Sequence, residues 1–334
     1  MQKETKIIMA FVVISIAIPL SLLEAYLRIR GVNATYEEQI GLGGYTSPYT
    51  PFKSTELYPL HEPNTIKQYK QQEFTRYIHS NSIGFNDREW SMPKRKKRLF
   101  CLGDSFTEGI GSSGDSSYPK ILQTIVPDSI EICNAGISGF DPMYSYKVLT
   151  TKLLPYQPDI VVVAVNQTDI MDCITRGGIE RFSQGIADKN PWWDVLYGKF
   201  YIVRYLIHNI LKYNRLFLLP QEQIAAENRA QDDIINVVDS FQTTCKSKQV
   251  ELFILFHPSR QEVKDNKIEC QKVLTYCNNK NIKVINVLTY FKENGVDSSN
   301  IDNLHWKIDG HYKNIGYRFM AEAVYDAILK NGKK

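Results

Sequence analysis

Five short apolar runs, at residues 98–102, 129–133, 159–165, 250–256 and 282–287, alternate with helical patterns near 117–126, 143–154, 227–247, 262–280 and 314–331. This alternation limits the fold more than any other feature of the chain. A short continuous apolar run suits a strand buried on both faces, and an intervening helix returns the chain so that successive strands pair in parallel. The pattern predicts an α/β domain, a parallel sheet with a layer of helices on each face. In such sheets ligands bind beyond the carboxyl ends of the strands.

The first run, Leu99-Phe100-Cys101-Leu102, leads into Gly103-Asp104-Ser105-Phe106-Thr107-Glu108-Gly109. A serine on a Gly-flanked turn after a buried strand is how α/β hydrolytic folds present a nucleophile. Alone, the same residues also suit an ordinary βα turn in which Asp104 and Ser105 cap the next helix. A second signal lies near the C-terminus, in Asp309-Gly310-His311-Tyr312-Lys313-Asn314-Ile315-Gly316. A serine nucleophile needs a base, and the base needs a carboxylate to fix its tautomer. Ser105, His311 and Asp309 supply all three. Asp302-Asn303-Leu304-His305 offers a rival carboxylate and imidazole. The aspartate two residues before His311, and the loop-shaping Asn314 and Gly316 after it, favour His311. Gly139 follows the second run, Asn166 and Thr168 the third, and His257 the fourth. Ser105, Gly139 and Asn166/Thr168 therefore fall at one edge of the expected sheet.

In this order the blocks resemble the SGNH or GDSL family of esterases, lipases and acyltransferases, over roughly residues 97 to 330. Gly103-Asp104-Ser105 is the first block. Asn134-Ala135-Gly136-Ile137-Ser138-Gly139 is similar to the family's Asn-x-Gly-x-Ser-Gly turn. The Asp-x-His block stands where family members usually have Asp-x-x-His, and is similar to the polysaccharide O-acetylation branch. Asn81-Ser82-Ile83-Gly84-Phe85 resembles a segment that precedes the nucleophile strand in membrane-anchored relatives. The resemblance implies a three-layer flavodoxin-like sandwich with a mainly parallel five-stranded sheet. It also implies a catalytic set of Ser105, His311 and Asp309, with an oxyanion and substrate-binding set of Gly139, Asn166, Thr168, Asp169 and Asp104. One block departs from the family's Gly-x-Asn-Asp. Here Asn166-Gln167-Thr168-Asp169 puts Thr168 at the asparagine position and Asn166 two residues earlier. Either side chain is a candidate oxyanion donor, a group whose loss costs about 10²–10³ in rate.

The expected function is serine-dependent hydrolysis of O-acyl groups, foremost O-acetyl groups, on a carbohydrate or lipid substrate. An O-acyltransferase for an envelope polysaccharide shares the first half-reaction and is the first alternative. A non-catalytic glycan-binding or assembly protein that retains the fold is the second. The altered third block speaks for that last reading and the intact Ser105/His311 pair against it.

Residues Ile7 to Leu23 form a nearly unbroken apolar run containing Pro19. Its length is close to the lower limit for a membrane-spanning helix, in which a proline is tolerated. Leu22-Leu23-Glu24-Ala25-Tyr26 offers no good small-x-small cleavage site, so an uncleaved anchor is expected. Lys3 and Lys6 on one flank match Arg28 and Arg30 on the other, so charge does not set the orientation. The short N-terminal tail and the resemblance suggest an extracytoplasmic catalytic domain. The expected organisation is an anchor at 1–30, an irregular arm at 31–96, and the hydrolase-like domain at 97–334 with a helical cap inserted at 172–225. A net charge of +4 with nearly balanced acids and bases implies no nucleic-acid partner. The six cysteines show neither CxxC nor zinc spacing. The sequence therefore predicts no metal or other cofactor.

Overall fold

The computed structural model describes residues 2–48, 60–113, 116–184 and 191–330. Residues 49–59 of the expected arm and 185–190 of the expected cap lie outside the described residues. The chain forms two compact units: Pro51–Ala187 with Ala225–Lys334, and Met1–Thr50 with Asp188–Ile224.

Along the chain, α1 (Gln2–Ile29) and α2 (Tyr36–Gln39) precede a hairpin of β1 (Ile66–Lys70) and β2 (Thr75–His79). Next come β3 (Lys97–Gly103), the single-turn α3 (Ser105–Glu108), α4 (Tyr118–Ile125), β4 (Ile130–Gly136) and α5 (Pro142–Val148). They are followed by β5 (Ile160–Val165), α6 (Gln167–Arg176), α7 (Arg181–Gln184), α8 (Asp194–Lys199) and α9 (Tyr201–Tyr205). The long α10 (Pro220–Ser247) leads to β6 (Glu251–Phe256), α11 (Arg260–Asp265), α12 (Gln271–Asn279), β7 (Lys283–Asn286), α13 (Val287–Glu293) and α14 (Asn314–Tyr325).

Strands β3 to β7 form one parallel sheet in the order β4-β3-β5-β6-β7. Numbered from the first core strand, this is the 2-1-3-4-5 order of a flavodoxin-like doubly wound sheet. Every residue of β5 is buried, which is why its sequence shows no polar alternation. Phe100 on β3, Val162 on β5 and Ile254 on β6 sit in one core with Phe241 of α10 and Met320 of α14. The strand order reverses between β3 and β5, so the switch point opens at their carboxyl ends, next to Ser105 and Asn166.

Local differences from the sequence reading have simple causes. The β1–β2 hairpin lies inside the stretch expected to be irregular, because its loop, residues 71–74, carries none of the Gly or Asn signals of tight hairpins. Helix α6 follows β5 directly, so residues 172–176 complete that helix. The helical stretch 262–280 is two helices, broken where Asn266 takes the left-handed conformation at φ 56°.

In the smaller unit, Tyr197, Ile207 and Phe217 form a core with Tyr45, Trp193, Val203 and Tyr213 packed against it. Helix α1 is apolar enough to cross a membrane over Glu4–Ile29, and the most apolar part of that stretch is buried nowhere.

Candidate active site

Ser105 opens α3, immediately after β3 ends at Gly103. Asp104 caps the helix by accepting the Phe106 N–H at 2.9 Å, so the Ser105 hydroxyl is not spent on capping. Two glycines allow the turn its tightness. A Cβ on Gly103 would stand 2.3 Å from Thr107 Oγ1, and one on Gly136 would stand 2.4 Å from the Glu108 nitrogen. As the first residue of a helix, Ser105 has a backbone N–H with no intrahelical acceptor.

The structure brings His311 and Asp309 to this serine. His311 Nε2 lies 2.7 Å from Ser105 Oγ, and His311 Nδ1 lies 2.5 Å from Asp309 Oδ1. An ionised carboxylate only accepts, so Nδ1 carries the proton and donates to Asp309. Nε2 is then the acceptor, and the Ser105 hydroxyl donates to it. Asp309 also accepts the His311 N–H at 3.1 Å, which ties carboxylate and imidazole together through the backbone. The Phe106 ring packs between two imidazoles, 4.7 Å from His311 and 4.6 Å from His257.

The rival pair is elsewhere. Asp302 is bound to Arg260 and Lys264 on the surface. His305 is buried, takes Gly310 C=O on Nδ1 at 2.8 Å and packs on Tyr312. Burial pushes its pKa down to about 4. Its work is to shape the loop that carries His311. His257 is likewise buried and lowered to about 4, chiefly by burial. It accepts the Asn166 side-chain N–H on Nε2 at 3.1 Å.

The remaining candidates form a network next to Ser105. The Asn166 amide donates to Asp104 Oδ2 at 2.9 Å and to His257, so both of its N–H groups are committed. Its Oδ1 accepts the Thr168 N–H and the Thr168 hydroxyl, each at 2.7 Å. Asp169 accepts the Asn166 N–H at 2.8 Å and completes a capping box at the start of α6. Burial, with the charge of Asp104 adding to it, raises the Asp169 carboxyl well above the usual carboxylate range. Asp104, Asn166 and Asp169 thus hold the two strand ends together, with the Thr168 hydroxyl, a single-bond rotor, turned towards Asn166 Oδ1.

Gly139 sits at φ 81° in the turn after β4. The turn is gripped from both sides. Arg176 Nη1 donates to Gly139 C=O at 2.7 Å, and the Ser138 N–H donates to Glu108 Oε2 at 2.7 Å. Glu108 is buried, which raises its pKa, but the His61 contact at 2.6 Å, Arg76 and Ser138 outweigh that and leave it lowered.

Several of these residues were not singled out from the sequence: Glu108, His61, Arg76 and Glu73. Glu73, at the tip of the β1–β2 hairpin, accepts the N–H groups of Lys307, Ile308 and Asp309 at 2.9, 2.9 and 2.7 Å. It therefore holds the backbone of the loop that bears the carboxylate. The acidic Glu108 three residues after Ser105 was visible, but its partner Ser138 is distant in sequence and no local pattern announces it.

No protein-family model matches the chain, and no curated protein sequence matches it. Solved structures do. The chain is similar to an acetyl xylan esterase at a TM-score of 0.43 and 15% identity, covering 70% of this chain and 100% of that one. A GDSL-like lipase from Bacteroides thetaiotaomicron is similar at a TM-score of 0.40 and 15% identity, over 72% of this chain and 92% of that one. A two-domain esterase active on acetylated mannans is similar at a TM-score of 0.42 and 12% identity, over 72% of this chain and 50% of that one.

Proposed function

We propose that this chain is a membrane-anchored serine ester hydrolase of the SGNH type, acting on O-acyl groups, foremost O-acetyl groups, of a carbohydrate or lipid. The observation that carries the reading is the continuous hydrogen-bonded line from Asp309 through His311 to Ser105. It opens where the strand order of a doubly wound sheet reverses, the place such sheets use for ligands.

In the proposed reaction Ser105 Oγ attacks the acyl carbonyl carbon while its proton passes to His311 Nε2. Asp309 stabilises the resulting imidazolium and keeps the ring in its tautomer. The oxyanion takes hydrogen bonds from the N–H groups of Ser105 and Gly139 and from the Thr168 hydroxyl. We assign this role to Thr168 rather than Asn166, because a hydroxyl can turn its hydrogen from Asn166 Oδ1 to the oxyanion, whereas the Asn166 amide serves Asp104 and His257. The carbon–oxygen bond to the alcohol breaks, and the alcohol leaves with the proton from His311. Water then attacks the acyl-serine, gives its proton to His311, and the acid departs as Ser105 recovers its hydrogen.

The anchor is proposed to be retained. Glu24 of α1 accepts the N–H groups of Tyr201 and Ile202 at 3.1 and 2.9 Å, capping α9. Cleavage beyond Glu24 would strip those two donors of their acceptor.

Hydrolysis of p-nitrophenyl acetate by the full chain in detergent tests the function. Ser105→Ala and His311→Ala should each lose about 10³-fold or more in kcat. Retention of wild-type turnover by either variant would remove the proposed nucleophile or base. Sugar acceptors added to the same assay separate acyl transfer from hydrolysis by the products formed.

A further inference from the structure

We infer that the inserted segment of the smaller unit, Trp192 through Phe217, is a second membrane-contact element that lies in the headgroup boundary around the C-terminal end of α1. The inference rests on the reading that α1 spans a bilayer. The apolar run Ile7–Leu23 has 17 residues, which as a helix extends only about 25 Å. A bilayer's hydrocarbon core is about 30 Å thick, so a run of this length sets Glu24 and the last turn of α1 near its boundary.

The insertion meets α1 where that run ends. Beyond the Glu24 cap on α9, Arg28 donates to Lys199 C=O at 2.9 Å and its guanidinium lies 4.8 Å from the Tyr201 ring centroid. These contacts belong to the last two turns of α1, so α8 and α9 stand at the depth of the membrane–water boundary.

The side chains that the insertion turns outward suit that depth. Tyr197, Ile207 and Phe217 are used in its own core, but Trp192 is 86% exposed, Val195 63%, Ile210 58% and Leu211 55%. Phe200 and Leu206 are also exposed. In the sheet-bearing unit the exposed large apolar residues among those described are spread over several elements, from Ile66 and Tyr77 on the β1–β2 hairpin to Met92, Met171 and Ile315. Such a concentration on one short segment marks an interaction surface. Lys199, Lys212 and Arg215 are exposed among these residues, and basic groups beside an apolar, tryptophan-bearing face match phosphate headgroups above acyl chains. Continuity with α1 selects the bilayer as the occupant over a protein partner.

The test uses the full chain in vesicles of phosphatidylcholine and phosphatidylglycerol, with or without bromine at the 6,7 positions of the acyl chains. The signal is the tryptophan emission of wild type minus that of Trp192→Phe. Bromination should quench this difference by at least half, and Ile210→Asp should weaken the quenching. An unquenched difference signal from chain that resists alkaline carbonate extraction would overturn the contact element and leave the anchor standing. Chain released by carbonate would overturn both.

Discussion

Glu73 offers the sharpest test of how the site is held. It lies on the loop between β1 and β2, outside the sheet, and touches none of the three proposed catalytic side chains. Its two carboxylate oxygens accept three consecutive backbone N–H groups, those of Lys307, Ile308 and Asp309. A hydrogen bond to a charged group contributes about 1.5–3 kcal/mol, and partial exposure pulls each of these towards the low end or below. Water replaces some of them when the carboxylate is removed, so Glu73→Ala should cost the loop about 1.5–2 kcal/mol of preference for its present conformation. At 1.4 kcal/mol per tenfold, that corresponds to about a 10–30-fold fall in kcat/KM for p-nitrophenyl acetate. Glu73→Gln keeps one accepting oxygen and should fall about threefold. The Phe74 ring, 5.4 Å from that of Trp306, still tethers hairpin to loop in both variants. A merely structural role would lower the melting temperature and leave kcat of the folded protein unchanged. Glu73→Ala within twofold of wild type in kcat/KM would refute the claim that this hairpin positions Asp309.

Two further predictions follow from the geometry. Thr168→Val removes the hydroxyl and keeps the shape, so kcat should fall about 10²-fold with little change in KM; steady-state kinetics with unchanged KM and unchanged kcat would assign the oxyanion to backbone donors alone. His257 is held neutral in the fold with its pKa lowered from 6.5 to about 4. The unfolded chain therefore binds the extra proton first as pH falls, and the stability contributed by neutral His257 is full above about 6.5 and lost progressively towards 4. Between pH 7 and 5 wild type should lose about 2 kcal/mol more than His257→Gln in urea unfolding, whereas parallel losses would show that His257 titrates alike in both states.

Local rules made much of the sheet legible. Runs such as Ile160–Val165 are so uniformly apolar that only a strand covered on both faces accounts for them. Ser105 and His311 were legible for a different reason: each lies in a short block with its own turn chemistry, Gly103 and Gly109 around one, Gly310 around the other. The choice between His311 and His305 rested on the neighbouring aspartate, and the structure brings His311, with Asp309, to the serine. What stayed hidden depends on long-range pairing. Glu73 reaches Asp309 across more than two hundred residues, and Glu108 meets Ser138 and His61 only after the fold brings three segments together. Asn166 was an open candidate in the sequence because nothing local reveals that Asp104 and His257 take both of its N–H groups. The hairpin escaped notice because its loop lacks glycine and asparagine and its strands expose most of their residues.

The most direct measurement of the central claim is covalent labelling of the full chain by a fluorophosphonate, with the modified residue located by peptide mass spectrometry. A serine activated by a neighbouring imidazole reacts with such a probe, while an ordinary surface serine does not. The account predicts a single adduct on Ser105 that is absent in His311→Ala and slowed in Asp309→Asn. A chain that remains unlabelled, or that labels at another serine, would contradict it.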